Sequence, residues 1–420
     1  MRKINKVVAI LLVLTMAFSM VACSNSNSGN SSDGKTADTG NDTDKKGGSS
    51  SGAGEFVIGC PQALSGTNAL VGDATLKGAK LAVKVLHENG GINGEQIRLV
   101  VYDDQASPEE AVKIAKKLIE VDKVDAICGS LISSNMLAAG NYYEEAKIPT
   151  VGNGLSNTWM EQNWQYVFRA CPNSGMAIPL LAQKMQDMGV KTVAIFEGVD
   201  DASKGPANTF REIAADYGMK VLTSETCVDG ESDFSGQVAK IMNTNPDAVL
   251  VSCPSVTQPV FSKQLRQFGY DGIVFSKETL SVDNMAVAGD SSNYWAFVFP
   301  YVTYNSVEEC DVPIIKDFLE LFVAEYGEMP FHDCAYRGWD SIMVLAEAAK
   351  NAGTNHDGTA IRDALEAISG LEGLCGTFDF TTGDREGIHT FNSYIIVDGK
   401  YVNLDTWLSD GSWDKFKESH

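Results

Sequence analysis

The sequence predicts an α/β protein made of two lobes, each a doubly wound parallel sheet. Its 420 residues, 44% of them hydrophobic, are enough to bury two cores. From Glu55 onward, short β-rich runs alternate with helix-patterned segments, and parallel strands crossed by helices make a doubly wound sheet. The alternation runs once, then starts again near Lys191, which implies two lobes.

In the first series, Phe56-Val57-Ile58-Gly59-Cys60 is a buried-strand run followed by a Gly/Ser-rich loop. A helix follows from about Asp73 to Glu88, with Leu76, Ala79, Leu81, Val83 and Leu86 apolar. Asn89-Gly90-Gly91 stops it, because glycine takes positive φ at a helix end. Next come strand Ile97 to Asp103 and a helix opened by Ser107-Pro108-Glu109-Glu110, where proline and two acids suit a first turn. Strand Val124 to Cys128, a helix from near Ser133 to about Glu145 and strand Ile148 to Val151 complete the series.

The second series consists of strand Lys191 to Phe196, helix Pro206 to Tyr217, strand Lys220 to Thr226 and helix Phe234 to Asn243. It continues with strand Ala248 to Ser252, helix Pro259 to Phe268 and strand Ile273 to Phe275. In such sheets ligands bind beyond the carboxyl ends of the strands, so function belongs to the loops there.

The amino terminus has the three parts of an export signal: Arg2, Lys3 and Lys6, the apolar stretch Val7 to Met20, and the exit Met20-Val21-Ala22-Cys23. The apolar run is marginal for a membrane span, which takes roughly 20 residues. Residues 24–54 are almost entirely Ser, Asn, Gly, Asp, Thr and Lys, the composition of a flexible tether. The exit resembles a bacterial lipobox, with Met20 where leucine is usual. That resemblance implies a signal peptide over 1–22, a diacylated Cys23, and a folded body held outside the cell on the tether 23–54.

Composition and motifs argue against several classes. The formal charge is 33 − 55 = −22, and loss of the three basic residues of 1–22 makes it 30 − 55 = −25. Such a field repels nucleic acid and anionic lipid. Catalysis is not expected, because none of these strands leads into a Gly-x-Ser-x-Gly elbow, a Walker loop or a Gly-x-Gly-x-x-Gly turn. No metal or cofactor is expected either: His87, His332, His356, His389 and His420 show no ligand spacing to a Cys or Glu. Of the nine cysteines, Cys60, Cys128, Cys171, Cys227 and Cys253 end predicted strands as small core residues, and pairing is not readable from sequence.

Two loops of the first series carry the informative residues. Ser133 is placed to cap the helix toward Glu145, whose unpaired N–H groups attract a carboxylate. Strand Ile148 to Val151 leads into Gly152-Asn153-Gly154-Leu155-Ser156, where Gly154 permits close backbone approach and Ser156 offers a hydroxyl. Together they suggest an anion cradle.

The strings Ile97 to Gln105, Pro108 to Lys117, Ile148-Pro149, Tyr166-Val167-Phe168-Arg169, Asp233-Phe234-Ser235 and Asn245 to Val249 are similar to the leucine/isoleucine/valine-binding proteins of ABC transporters. The likeness runs from about Phe56 to Phe416. It implies a type I periplasmic-binding fold with three hinge crossings, near Cys171, Pro300 and Thr382. The first lobe would comprise 56–172 and 303–380, the second 173–302 and 388–417, with Asn392 to Trp407 returning to the second. Position by position, the resemblance puts Ser133, Gly154, Ser156 and Ala202 around a ligand carboxylate and Glu278 on the ligand ammonium.

Val71, Ala202 and Pro254 stand where relatives carry bulky aromatics, so the side-chain pocket, assigned to Val71, Pro254 and Tyr336, is enlarged unless Trp159, Tyr336 or Trp339 fills it. A branched-chain amino acid and a larger hydrophobic or aromatic one are both open, and polar ones through Asn68 and Asn135. The expected function is capture of a free amino acid by hinge closure and delivery to an ABC permease, by a monomer attached to the membrane only through lipid on Cys23. The alternatives are a sensory or regulatory binding protein for amides or amino acids and, more weakly, an extracellular enzyme.

Overall fold

A computed structural model describes residues 54–228 and 230–419; the expected signal, Cys23 and all but the last residue of the expected tether lie outside them. Strand β1 (Glu55–Gln62), buried from Phe56 onward, pairs in parallel with β2 (Gln96–Asp103) on one side and β3 (Ala126–Cys128) on the other. Parallel β4 (Thr150–Gly152) and β5 (Val167–Arg169) complete a first sheet of order β2-β1-β3-β4-β5. Its crossovers are α1 (Ala69–Glu88), α2 (Pro108–Lys117) and α3 (Ser133–Glu145).

The predicted punctuation operates at α1 and α2. Gly90 and Gly91 take φ of 93° and 77° after α1, and Ser107 Oγ accepts from Glu110 N at 3.4 Å above Pro108. Helix α1 starts a turn before the expected Asp73. Gly72 made that turn read as loop, but it is a packing glycine: a β-carbon there would stand 1.8 Å from the Ala63 carbonyl oxygen.

After β5 the chain enters the second lobe through α4 (Ser174–Asp187), then β6 (Thr192–Gly198), α5 (Asp201–Ile213), β7 (Lys220–Cys227), α6 (Ser235–Thr244) and β8 (Ala248–Ser252). It continues with α7 (Gln258–Gln267), β9 (Ile273–Ser276), α8 (Val282–Ala288) and β10 (Trp295–Phe299). Helix α5 begins at Asp201, not at the expected Pro206, because Asp200 caps it, accepting from Ser203 N at 3.0 Å and from Ser203 Oγ at 2.6 Å.

The chain then returns to the first lobe with α9 (Pro313–Tyr326), α10 (Cys334–Ala352), α11 (Gly358–Glu366) and the hairpin of β11 (Ser369–Glu372) and β12 (Thr377–Asp379). Helices α1 and α10 press together at two glycines: a β-carbon on Gly78 would lie 1.9 Å from the Ala335 carbonyl oxygen, and one on Gly338 1.9 Å from that of Thr75. A last passage brings β13 (Asn392–Val397), β14 (Lys400–Asn403), α12 (Leu404–Ser409) and α13 (Ser412–Ser419) to the second sheet, whose order is β14-β13-β10-β9-β8-β6-β7. These last two strands depart from the parallel pattern of the sheet, β13 running antiparallel to β10 and β14 to β13. No crossover helix precedes β13, and without one the returning chain lies antiparallel to its neighbour.

The chain thus passes between the sheets three times, after β5, β10 and β12. The first and third passages are tied by a buried ion pair. Arg169 donates through Nε to Glu386 Oε2 at 2.7 Å and through Nη2 to Oε1 at 2.6 Å, and Asn173 Nδ2 adds 2.9 Å to the same Oε1. Among the described residues no helix is long and apolar enough to cross a membrane.

Candidate functional site

A cavity of about 210 Å³ lies where the ends of the two sheets face each other, lined from both lobes. A water occupies about 30 Å³, so the space suits a small solute. The first lobe contributes Asn68 and Val71 at the start of α1, Leu131 to Ser134 entering α3, Leu155, and His332, Cys334 and Arg337 at the start of α10. The second contributes Asp200 to Ser203 opening α5, Pro254 to Val256 after β8, and Lys277 and Glu278 after β9.

Ser133 is in the wall, but not as the cap the sequence suggested. The N-cap position belongs to Ile132, which offers no side-chain acceptor, and Ser133 Oγ accepts from Ser156 N at 3.2 Å. Gly154 and Ser156 stand behind the wall and do not line the cavity; Leu155 between them does. The Gly154 carbonyl turns inward to accept from Trp159 Nε1 at 3.2 Å and Arg169 Nη1 at 3.0 Å, and Arg169 Nη1 also reaches the Ser156 carbonyl at 2.8 Å. Gly154 is glycine for room: a β-carbon would come within 2.7 Å of Ser133 Oγ. Ser156 Oγ shares a hydrogen bond with Thr158 Oγ1 at 3.1 Å, and a β-carbon on Gly205 of α5 would stand 3.4 Å from it, so the lobes nearly touch there.

Ala202, Val71 and Pro254, all small side chains, line the cavity. Tyr336 does not. Its ring is 1% exposed and packs on Tyr301 and Phe318 at centroid distances of 5.5 and 5.3 Å. A step of one residue turns a helix by about 100°, so Arg337 meets the cavity while Tyr336 meets the core. Trp159 and Trp339 do not fill the gap either: Trp159 is buried beneath Arg169, and Trp339 packs on Phe318. Asn68 reaches the cavity, whereas Asn135 is buried away from it.

Glu278 lines the cavity, but its Oε1 already accepts from Lys277 Nζ at 2.9 Å and from Gln258 Nε2 at 3.2 Å. Lys277 is the residue that sequence reasoning missed. Its signal was a Lys-Glu pair close after the apolar strand Ile273 to Phe275, and both side chains are buried.

The expectation that no histidine stands near a ligand-type partner also needs correcting. His332, Asp333 and Cys334 bring ligand-type atoms within 4.8 Å of one another. Those atoms are engaged in hydrogen bonds: His332 Nδ1 lies 2.5 Å from Asp333 Oδ1 and 3.1 Å from Cys334 Sγ, and Asp333 Oδ2 accepts from Tyr301 OH and Arg337 Nη2, each at 2.6 Å. Burial works to raise the Asp333 pKa, but Arg337 and His332 overcome it and hold the carboxyl well below the usual range. Burial works to lower that of His332, and the Cys334 sulfur and Asp333 override it, holding the imidazole well above the ordinary value. The Arg337 cation repels any metal ion at this cluster. The eight cysteines among the described residues are buried and free.

A cavity walled by two doubly wound lobes joined at three passages is the geometry of solute capture, and residues 55–400 match the family described as periplasmic binding protein. The chain belongs to that family. Among the relatives of this periplasmic binding protein, "Leu/Ile/Val-binding protein homolog 3" of Brucella melitensis is 25% identical over 359 residues, 84% of this chain and 94% of the relative. "Amino acid binding protein" of Pseudomonas aeruginosa is 28% identical over 356 residues, 83% and 92% of the two chains. In structure, the substrate-binding protein of a branched-chain amino acid transporter from Streptococcus pneumoniae, solved with isoleucine, superposes with a TM-score of 0.72 at 25% identity, covering 83% of this chain and 98% of its own. Membership makes the protein an exported solute-binding protein and not an enzyme.

Proposed function

We propose that this periplasmic binding protein captures a free amino acid by closing its lobes over the cavity and delivers it to the permease of an ABC transporter. One observation carries the reading: the two polar groups of an α-amino acid find opposite partners on opposite walls. On the first lobe, Ser133 stands at the start of α3, whose leading N–H groups attract a carboxylate, with Ala202 facing it from α5. On the second, Glu278 Oε2 has no hydrogen bond among the described residues and is the acceptor for an ammonium, which cannot be buried unpaired. Gly154 and Ser156 act through Ser133 by fixing its hydroxyl, and Val71 and Pro254 face the ligand side chain.

Solute that touches both walls stabilises only the closed arrangement, so binding shifts the balance of open and closed forms. The names of the relatives supply branched-chain amino acids as the first ligands to test. Delivery requires the chain to stay at the membrane, which a diacylated Cys23 and its tether provide; Cys23→Ser should release the protein into the medium.

The test is the melting temperature of the full chain against the twenty amino acids taken singly. Ligand at about 100 times its Kd adds roughly 2.7 kcal/mol of stability, a readable rise. Absence of a rise with every one of them sinks the amino-acid reading.

A further inference from the structure

The amino-acid reading gives no task to two cavity cations, Arg337, already paired with Asp333, and Lys277. Lys277 lines the cavity with its side chain 3% exposed, and a buried ammonium needs acceptors for its three N–H donors. Among the described residues the structure supplies one, Glu278 Oε1 at 2.9 Å. The second-lobe wall therefore presents, side by side, an ammonium with donors to spare and a carboxylate with one oxygen to spare.

A neutral amino acid answers only half of this. Its ammonium at Glu278 would sit close to the Lys277 cation, whose repulsion at such range is comparable with the attraction of Glu278. A second anionic group on the solute removes the conflict by taking the spare donors of Lys277. Arg337, also buried, adds positive charge from the first lobe, with Asp333 as its partner. Asp200, which accepts from Ser203, and Asp201 are both acids of this wall that the solute's carboxylates must stay clear of. The apolar Val71 and Pro254 suit a short hydrocarbon stem.

We propose that Lys277 sets the side-chain class of the solute: the cavity takes an amino acid with a second carboxylate, which receives the Lys277 ammonium while the α-ammonium takes the open oxygen of Glu278. This rests on the reading of the cavity as an amino-acid site.

The experiment is calorimetric titration of the full chain with L-glutamate, L-aspartate, L-leucine and glutarate, repeated on Lys277→Met. One of the two acidic amino acids should bind on the order of 30-fold or more tighter than leucine, as expected for a desolvated charge pair. Lys277→Met should weaken the acidic amino acid and strengthen leucine, because Glu278 then has no competing cation. A folding defect would weaken both, and the wild-type series decides without the variant. Leucine bound more tightly than both acids by the wild type overturns the role of Lys277 and leaves amino-acid capture standing. Glutarate bound as tightly as glutamate overturns amino-acid capture and this proposal together. Binding of none of the four overturns this proposal.

Discussion

At the scale of single residues, charge and burial decide what each group contributes. Glu278→Ala should cost about 2–5 kcal/mol of amino-acid affinity, the range for truncating one partner of a desolvated pair, and unchanged affinity would remove Glu278 from the site. Asp340 of α10 offers a separate test, of stability. Its carboxyl is fully buried and accepts from Leu374 N at 3.0 Å and Cys375 N at 2.7 Å. Burial raises its pKa to about 7 against these lowering hydrogen bonds. A folded value above the unfolded one means that the native state holds the proton more tightly, so this group's contribution is full below the ordinary carboxylate pKa and is lost as pH rises toward 7. The loss is about 4 kcal/mol at most. Urea unfolding of wild type and Asp340→Asn should therefore differ most in favour of the wild type at low pH, with the gap shrinking by pH 7. A gap independent of pH would show that Asp340 titrates normally. The resemblance pointed to Ser133 and Glu278, which border the cavity, whereas nothing in a Lys-Glu dipeptide announces that both side chains are buried.

At the scale of elements, helix positions were legible where local chemistry sets them and shifted where tertiary contacts do. Ser107, Pro108 and the glycines after Glu88 fix their helix ends within a few residues, as expected. The starts of α1 and α5 moved because Gly72 serves packing against Ala63 and Asp200 caps ahead of Pro206. The contact of α1 with α10 matters for the site, since α10 carries Cys334 and Arg337 into the cavity. Gly338→Ala would place a methyl 1.9 Å from the Thr75 carbonyl oxygen, so the helices must separate. Overpacking of this kind costs about 1–3 kcal/mol. Denaturant unfolding should show that loss together with weaker solute binding. Unaltered stability would mean that the helices part without cost.

At the scale of the whole molecule, Arg169 is the link between ligand loop and hinge. One guanidinium holds the carbonyls of Gly154 and Ser156 and, on its other edge, Glu386 of the third passage. Arg169→Met leaves Glu386 buried with only Asn173 for company, and breaking a buried pair costs about 3–5 kcal/mol. Thermal unfolding of this variant should fall accordingly, with solute affinity falling in parallel because the loop behind Ser133 loosens. Affinity preserved in a destabilised Arg169→Met protein would separate loop from hinge.

The sequence by itself determined the two α/β series and the helix stops at glycine, because strand and helix periodicity and turn chemistry are local properties. Tertiary structure alone decided that Gly154 and Ser156 stand behind the wall, that Tyr336 belongs to the core and that Lys277 shares Glu278. It also decided that β13 closes the second sheet antiparallel. Those outcomes depend on which way a side chain or strand faces once distant segments meet, and burial, unlike periodicity, is a property of the assembled chain.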